Sequence, residues 1–205
     1  MYKPKVYSEK DLKKIFDFIE RYPFAFITCC GLEGMPMATQ IPLIFDAEKQ
    51  KLQGHVMRHT DHHKAFSQNP EVLLVFTGPN AYVSGSWYSK PQVASTWNYI
   101  SVHVQGRLSF MNDEKFVDFM NRFTLKFEGG DKNSPTYYEN IPDEYQRQHM
   151  KAITGIEITT DSIEATFKLS QDKDEKSYLT ILENLRQNSH TEQSLADEME
   201  RYNNY

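Results

Sequence analysis

Short apolar stretches separated by turn-forming residues dominate the pattern of this chain. Residues 24–30 form a continuous apolar run, whereas in residues 35–45 every second side chain is apolar or threonine. Runs of this length, continuous or with a period of two, predict β-strands. The predicted strands cover residues 24–30, 35–45, 52–57, 72–76, 82–87, 97–110 and 156–169, with a break at Gly78-Pro79.

Apolar residues that recur every three or four positions predict helices between these strands. In residues 113–127 four phenylalanines and one methionine follow this spacing. Ser8 with Asp11 resembles a capping box, and Asp61 predicts the cap of a short helix. The predicted helices cover residues 8–20, 61–68, 113–127, 144–151 and 178–187. The polar end of the chain predicts a frayed, acidic terminus.

The number and spacing of these elements favour one fold class. Short strands joined by hairpin turns, with a few helices among them, predict a mainly β protein with helices: an antiparallel barrel with peripheral helices. The strands follow one another too closely for a doubly wound parallel sheet. A chain of 205 residues is long enough for one generous domain, or for a barrel with a helical appendage.

The net charge, the cysteines and the length of the apolar stretches indicate which partners and which compartment to expect. The formal net charge of −5 has the wrong sign for a protein whose main task is to neutralise nucleic acid phosphates. Cys29 and Cys30 are neighbours in an apolar run, and such pairs rarely form structural disulfides, which is consistent with a reducing compartment. No apolar stretch reaches the ~20 residues that span a bilayer, and the first residues do not resemble a signal peptide. We therefore expect a cytoplasmic location and no membrane partner.

A junction between a predicted strand and a predicted helix, residues 54–64, concentrates polar chemistry. Free backbone N–H groups and the positive end of the helix dipole at such a junction suit a phosphate, and Arg58, Thr60 and Lys64 add donors. A solvated turn with a helix cap explains the same residues equally well. The histidines of this segment also raise the question of a metal, but no cysteine joins them and His55 lies far from a single helical face, so a metal is disfavoured.

Two further constellations have both structural and functional interpretations. Residues 38–43 place hydroxyl and amide groups beside apolar ones, which suits the edge of a planar heterocycle or an ordinary barrel strand. Trp87-Tyr88 and Trp97-Asn98 place aromatic rings beside polar groups, as in a dimer interface, a flavin-binding wall or a packed core. No nucleophile elbow, phosphate-binding glycine loop or dinucleotide fingerprint is present, and no catalytic residue can be assigned.

Several motifs in chain order resemble one known family. They are Thr39-Gln40-Ile41-Pro42-Leu43, Gly54-His55-Val56, Phe76-x-Gly78-Pro79, Ser86-Trp87-Tyr88, Thr96-Trp97-Asn98-Tyr99, Val102-His103-Val104-x-Gly106 and Lys168-Leu169-Ser170-Gln171. Together they resemble the PaiB family, which belongs to the FMN-binding split-barrel superfamily alongside the pyridoxamine-phosphate oxidases. The resemblance runs from residue 1 to about residue 171.

The resemblance implies a split β-barrel of the FMN-binding type in residues 1–171, followed by a polar, partly helical tail in residues 172–205. It implies FMN as the cofactor and a homodimer in which the flavin lies between subunits. Lys64 would pair with the phosphate, and Asn98 would lie over the flavin of the second subunit. The cofactor-binding residues expected from the resemblance are Thr39, Gln40, Ile41, Met57, Arg58, His59, Thr60, Lys64, Trp97, Asn98, Lys168 and Gln171.

The resemblance implies the fold more specifically than it implies the function. Members of the family are described as transcriptional regulators, which predicts a flavin-binding regulator. The alternatives are an oxidoreductase that uses the flavin on a small substrate and a dimeric scaffold that has lost the cofactor. The acidic charge, and the lack of a helix-turn-helix pattern, make DNA a partner that is conceivable but not supported.

Overall fold

The computed structural model describes residues 4–31, 34–46, 51–90 and 92–202. Its strands are β1 (Ser8–Glu9), β2 (Phe24–Cys30), β3 (Pro36–Pro42), β4 (Ile44–Asp46), β5 (Lys51–Met57), β6 (Glu71–Val83), β7 (Thr96–Phe110) and β8 (Ile153–Lys168). Its α-helices are α1 (Leu12–Arg21), α2 (Asp61–Gln68), α3 (Asp113–Phe127), α4 (Asp143–Ala152), α5 (Glu175–Arg186) and α6 (His190–Tyr202). None of the helices in this described part is long and apolar enough to span a bilayer.

The strands of the described residues form one antiparallel sheet in the order β3-β2-β6-β7-β8-β5-β4, with β1 paired to β8. Strand β2 pairs with β3 from Phe24↔Pro42 to Cys30↔Pro36. Strand β5 pairs with β8 from Lys51↔Thr159 to Met57↔Ile153, and β4 continues the sheet on the other side of β5. The predicted mainly β, antiparallel architecture with peripheral helices is therefore confirmed.

The chain divides into two compact units, each with its own core. The terminal unit contains the described residues of Met1–Phe18, Val75–His103 and Glu164–Tyr205. The internal unit contains those of Ile19–Leu74 and Val104–Ile163. Strands β6, β7 and β8 contribute a segment to each unit.

In the internal unit, helix α3 buries the apolar stripe that its sequence predicts. Phe116 and Phe119 are almost fully buried and pack with Ile44 and Met111, and Phe123 lies against the same cluster. Asn112 caps the helix by accepting a hydrogen bond from the Lys115 N–H, at 2.9 Å. The cap marks the start of the helix, and the spacing of the phenylalanines continues to its end at Phe127. The predicted bounds, 113–127, agree with the observed ones.

In the terminal unit, helices α5 and α6 pack on each other and contribute to the core. Ile181 and Leu185 of α5 and Leu195 and Met199 of α6 are fully buried. The Tyr202 hydroxyl lies 3.1 Å from the Asp17 carboxylate, which ties the end of α6 to α1. The expected frayed terminus is therefore wrong for residues 190–202, because Leu195 and Met199 are four residues apart and form a buried stripe between acidic residues.

Two other expectations about element boundaries are wrong. Helix α1 begins at Leu12, not at Ser8, because Ser8 and Glu9 pair with β8 and the Glu9 carboxylate accepts from the N–H groups of Lys10 and Asp11. Strand β6 runs through Gly78-Pro79 without a break. It has 13 residues whereas the neighbouring β2 has 7, so β6 extends beyond β2, where a proline is tolerated. The polar sequence between Asp46 and Lys51 predicts a hairpin connection, and its residues 47–50 lie outside the described residues.

His55 is a half-buried titratable side chain in the internal unit. Its ring meets Phe123 edge-on at a centroid distance of 5.5 Å, and its Nδ1 is buried with no hydrogen-bond partner in the described part of the chain. Burial lowers the pKa of His55, and the nearby His149 lowers it further. The folded protein therefore holds this imidazole neutral.

This burial predicts a loss of stability in mild acid. Below the usual histidine pKa of about 6.5 the unfolded chain binds a proton that the folded chain refuses, so the free energy of unfolding falls as the pH falls towards the lowered folded pKa. Urea unfolding at pH 7.5, 6.5 and 5.5 should show a larger loss for the wild type than for His55→Phe. Parallel curves for the two proteins would contradict the assignment.

Candidate functional site

A bend at Pro42-Leu43 separates two strands that would otherwise be one. Before the bend, β3 pairs with β2. After it, β4 pairs with β5, and at the bend the Leu43 N–H donates to the Pro23 carbonyl, at 2.9 Å. Pro42 has no N–H with which to continue a ladder onto β5. Strand β4 consequently covers only the Lys51–Gln53 part of β5.

The bend leaves β5 with an open edge. The Arg58 N–H donates to the Ala152 carbonyl, at 2.8 Å. This bond shows which residues in the register of β5 with β8 direct their backbone groups towards β8. Because the backbone groups of an antiparallel strand alternate in direction, those of His55 and Met57 point away from β8. Both residues line a cavity on that side.

Strand β3 has an open edge of its own, at the end of the sheet. The Gly31 N–H donates to the Met35 carbonyl, at 2.8 Å. This bond shows which residues in the register of β2 with β3 direct their backbone groups towards β2. The same alternation turns the backbone groups of Ala38 and Gln40 away from β2. The Ala38 carbonyl lies 3.0 Å from the His62 Nε2 of α2, so the helix covers part of this edge.

The cavity beside these edges, the β3–β5 cavity, has a volume of about 330 Å³, at the lower end of the range of small-molecule sites. Its lining is Thr39, Gln40, Ile41, Pro42, His55, Val56, Met57, Thr60, His62 and Ile153. Apolar side chains alternate there with hydroxyl, amide and imidazole groups. Such a lining suits a flat heterocycle whose edge carries both hydrogen-bond donors and acceptors.

The turn from β5 into α2 lies at one end of the cavity. His59 has φ 64°, a left-handed conformation that lets the chain reverse between strand and helix. The Thr60 hydroxyl donates to the Met57 carbonyl, at 3.0 Å, and accepts from the His63 N–H, at 3.2 Å. Thr60 is therefore the N-cap, one residue before the cap predicted at Asp61.

Arg58 directly precedes this turn, and only one nitrogen of its guanidinium makes hydrogen bonds to described residues. Its Nε donates to the Ile153 carbonyl, at 2.9 Å, and more weakly to the Met150 carbonyl, at 3.3 Å. All the side-chain hydrogen bonds that Arg58 makes to described residues come from Nε. Burial lowers the pKa of His63, and the positive charges of Arg58 and then of His59 lower it further. The guanidinium of Arg58 therefore acts electrostatically on the first turn of α2, which also contains the Asp61 carboxylate.

Lys64 lies elsewhere on α2. Its ammonium pairs with the Asp61 carboxylate at 3.2 Å, both side chains are well exposed, and both line a separate cavity of about 270 Å³ with Met35 and Met37. An exposed pair of this kind is weak and easily exchanged. The structure therefore does not place Lys64 in the lining of the β3–β5 cavity, and its expected contact with a phosphate stays a prediction.

The remaining predicted residues belong to the terminal unit and differ in exposure. Trp97 is 53% exposed, and its ring meets that of Tyr82 edge-on at 6.2 Å. Asn98 is fully buried. Its amide donates to the Ser170 hydroxyl, at 2.9 Å, and its carbonyl oxygen lies 3.2 Å from the same hydroxyl. Trp97 offers a surface for contact, whereas the side chain of Asn98 is satisfied within its own unit.

Lys168 and Gln171 also have partners within the terminal unit. The Lys168 ammonium donates to the Thr96 hydroxyl and lies 5.7 Å from the centroid of the Tyr7 ring. Burial lowers its pKa, an effect that Asp172 opposes and Lys173 reinforces. The Gln171 amide donates to the Phe167 carbonyl, at 2.6 Å, and its oxygen accepts from the Leu169 N–H, at 2.8 Å. Gln171 thus stabilises the turn after β8.

Five residues that line the cavity are absent from the expected cofactor contacts: Pro42, His55, Val56, His62 and Ile153. Pro42 carries a usable signal, since a proline in an alternating run marks an interrupted ladder. Ile153 carries none, because it reaches the cavity through the register of β5 with β8. Among residues 4–31, 34–46, 51–90 and 92–202, no group of three His, Cys, Asp or Glu side chains is placed to hold a metal ion.

Comparison with known proteins identifies the family. Residues 1–162 match the family model described as "Putative FMN-binding domain". The protease synthase and sporulation protein PAI 2 of Bacillus subtilis is 29% identical over 188 residues, which cover 91% of this chain and 89% of that protein. An uncharacterised protein of Emericella nidulans is 25% identical over 213 residues, with coverages of 84% and 85%.

Solved structures share the fold at low identity. The FAD and heme binding protein of Mycobacterium smegmatis matches with a TM-score of 0.61 at 14% identity, over 78% of this chain and 73% of that chain. A flavocytochrome of Azotobacter vinelandii matches with a TM-score of 0.55 at 16% identity, over 84% and 74%. These matches, with the family, confirm the predicted split-barrel fold class.

The family match covers most of the chain, and the similarity to PAI 2 extends over nearly all of it. FMN, the cofactor that the sequence predicts, is the ligand named in the description of the family. This chain therefore belongs to the FMN-binding domain family, and its resemblance to the PaiB proteins is confirmed.

Proposed function

We propose that this chain is an FMN-binding regulatory protein that works as a homodimer and holds the flavin in the β3–β5 cavity. The observation that carries the proposal is the meeting of two open strand edges in one cavity, next to the β5–α2 turn that Arg58 precedes. A flavin needs both, because it joins a flat heterocycle to a phosphate. The donor set of the cavity fits the two ends of that molecule.

The heterocycle would be held mainly by backbone groups. The pyrimidine edge of a flavin has one N–H donor between two carbonyl acceptors, and the backbone edges at Gln40, His55 and Met57 would offer the complementary groups. The side chains of Ile41 and Met57 would cover the apolar face of the ring. Thr39, with its hydroxyl in the lining, would bond to the polar edge.

The phosphate would lie at the β5–α2 turn. The two terminal amino groups of Arg58 form a fork that suits a phosphate, and the Thr60 hydroxyl and the backbone at His59 lie in the same turn. Asp61 opposes this arrangement, because its carboxylate stands in the first turn of α2. Lys64, which pairs with Asp61, offsets that charge and would turn to the phosphate only by leaving the carboxylate.

The terminal-unit residues would act in the partner subunit's site, as the family layout implies. The exposed Trp97 ring is suited to contact a flavin or the partner chain. Asn98, Lys168 and Gln171 would support the strand ends that carry Trp97. Bound flavin supplies hydride and electron transfer, and the residues of this chain bind it, orient it and limit the access of water.

The regulatory role is supported by the relative in Bacillus subtilis, whose name associates it with protease synthesis and sporulation. The net charge of −5 argues that regulation acts through a metabolite or a protein partner more than through DNA. In this proposal, flavin occupancy or flavin redox state is the signal that the protein reports.

We expect Arg58→Gln to weaken FMN binding about tenfold more than it weakens riboflavin binding. Riboflavin lacks the phosphate, and a charge-assisted hydrogen bond contributes about 1.5–3 kcal/mol, where 1.4 kcal/mol is a factor of ten. Titrations followed by flavin fluorescence measure both affinities. Arg147→Gln, which removes an exposed arginine of the same unit, is the matched control. Equal losses for the two flavins would contradict the phosphate position, and a comparable loss in Lys64→Gln would show that this lysine turns to the phosphate.

Sedimentation equilibrium should give twice the chain mass of 24.0 kDa for the wild type. Exposed aromatic pairs are enriched at interfaces, so Trp97→Ser combined with Tyr82→Ser should shift the protein towards the monomer. Leu179→Ser, at a half-exposed position of α5, is the control for a lost surface side chain. A monomeric wild type at micromolar concentration is the result that would rule out the homodimer.

A regulator and an oxidoreductase differ in turnover. With FMN and NAD(P)H, we expect no consumption beyond about one equivalent per flavin, since a sensing flavin is reduced once. In its own host, deletion of the chain should alter extracellular protease output, with recovery by the wild type and not by Arg58→Gln. Sustained NAD(P)H consumption, with unchanged protease output after deletion, would favour the oxidoreductase instead.

A further inference from the structure

Helix α4 is an exposed helix held mainly at its two ends. No residue of α4 is buried, and its N-cap, Pro142, provides no side-chain cap. Near its start, the Gln146 amide donates to the carbonyls of Tyr138 and Ile141, at 2.9 and 2.8 Å. Few buried contacts leave a helix with a low free energy of local opening. Its docking therefore depends on a small number of polar contacts and on the half-buried Met150, which packs against the cluster of Phe116 and Phe119.

The contact at the other end comes from Arg58. The carbonyl of Met150 lies in the last turn of α4 and that of Ile153 directly follows the helix, and both accept from the Arg58 Nε. A guanidinium at this position satisfies carbonyls that have no partner within the helix and complements the negative end of the helix dipole. Arg58 thus caps the C-terminus of α4 from outside the helix.

Arg58 also stands in the chain directly before the His59-Thr60 turn into α2. Met57 and Thr60, on either side of it, line the cavity, and the positive charge of Arg58 is one cause of the lowered pKa of His63 in the first turn of α2. The geometry of a guanidinium allows Nε to donate to carbonyls while the terminal amino groups bind an anion. One side chain can therefore hold the end of α4 and an anion at the start of α2 at the same time.

We infer that Arg58 is a positioning residue that links the occupancy of the cofactor-phosphate position to the docking of α4. This inference rests on the proposed function, since it assigns the phosphate of FMN as the anion. It identifies α4 as the element whose stability reports the phosphorylated cofactor.

The link has a physical basis in the flexibility of arginine. A free arginine side chain loses about 2 kcal/mol of rotamer entropy when it is fixed, and whichever partner binds first provides that ordering. The second partner then meets a guanidinium already in place, so each event favours the other. By thermodynamic reciprocity, the factor by which FMN stabilises α4 equals the factor by which docked α4 strengthens FMN binding.

Undocking of α4 would expose the wall of the cofactor cavity. Ile153, which follows α4, lines the cavity, and His149 of α4 lies within electrostatic range of His55 in the same wall. A regulator needs a segment that differs between its loaded and empty states. Helix α4 meets this requirement because none of its residues is buried and the Arg58 side chain bonds both to its last turn and to Ile153 in the cavity wall.

Hydrogen exchange of the α4 amides, measured on the full chain with saturating FMN or riboflavin, tests the link. We expect FMN to slow exchange about fivefold or more, the lower end of common coupling factors, and riboflavin to leave it nearly unchanged. In Arg58→Lys, which keeps the charge and loses the fork, bound FMN should no longer slow exchange. Gln146→Ala, which loosens the other end, should speed exchange in both states and preserve the effect of FMN.

The outcomes separate this inference from the proposed function. If the flavin spectrum shows that FMN binds but α4 exchanges equally with and without it, or if riboflavin slows exchange as much as FMN does, the link through Arg58 is wrong and the flavin site stands. If neither flavin binds, the proposed function fails and the inference fails with it.

Discussion

The bend at Pro42-Leu43 is the constraint on which the candidate site depends. Without a proline N–H, β3 cannot continue its ladder onto β5, so two strand edges stay open and a cavity forms between them. Two neighbours fix the bend. Leu43 is buried and hydrogen-bonded to Pro23, and a Cβ at Gly54 would come within 2.8 Å of the Leu43 side chain and 3.1 Å of the Pro42 carbonyl. The glycine of the Gly54-His55-Val56 motif is thus required by close packing beneath the cavity.

Charge around the β5–α2 turn shows why position alone does not identify an anion-binding residue. Arg58 and Lys64 flank the same turn, and the resemblance assigns the phosphate to the lysine. In the structure Lys64 has a carboxylate partner three residues away on its own helix, whereas Arg58 retains the fork of its guanidinium. An i,i+3 pair is a local property of the helix, so it forms whatever the family layout requires. Arg58 is the better placed cation.

Local periodicity predicted the elements well where the chain follows one rule. Helix α3 and strand β2 have the predicted bounds, because a regular stripe or a continuous apolar run leaves no competing pattern. Prediction failed where pairing between strands overrides local signals. Ser8 pairs with β8 instead of beginning a helix, and Pro79 lies in β6, a strand that is longer than the neighbouring β2. The candidate site shows the same limit. Thr39, Gln40, Ile41, Met57 and Thr60, which line the cavity, are among the residues that the resemblance implies, whereas Ile153 enters through strand register and the burial of Asn98 depends on tertiary packing.

The role of Arg58 at α4 also bears on how the cavity exists without its ligand. A cation whose only task was to bind phosphate would be solvated and mobile in the empty protein. Because the Arg58 Nε already bonds to the carbonyls of Met150 and Ile153, part of the ordering of this side chain takes place on folding. The same bonds hold Ile153 in the cavity wall. Folding of α4 and preorganisation of the site are therefore one process, and a fold of this kind can carry a signal from cofactor to surface without a dedicated domain.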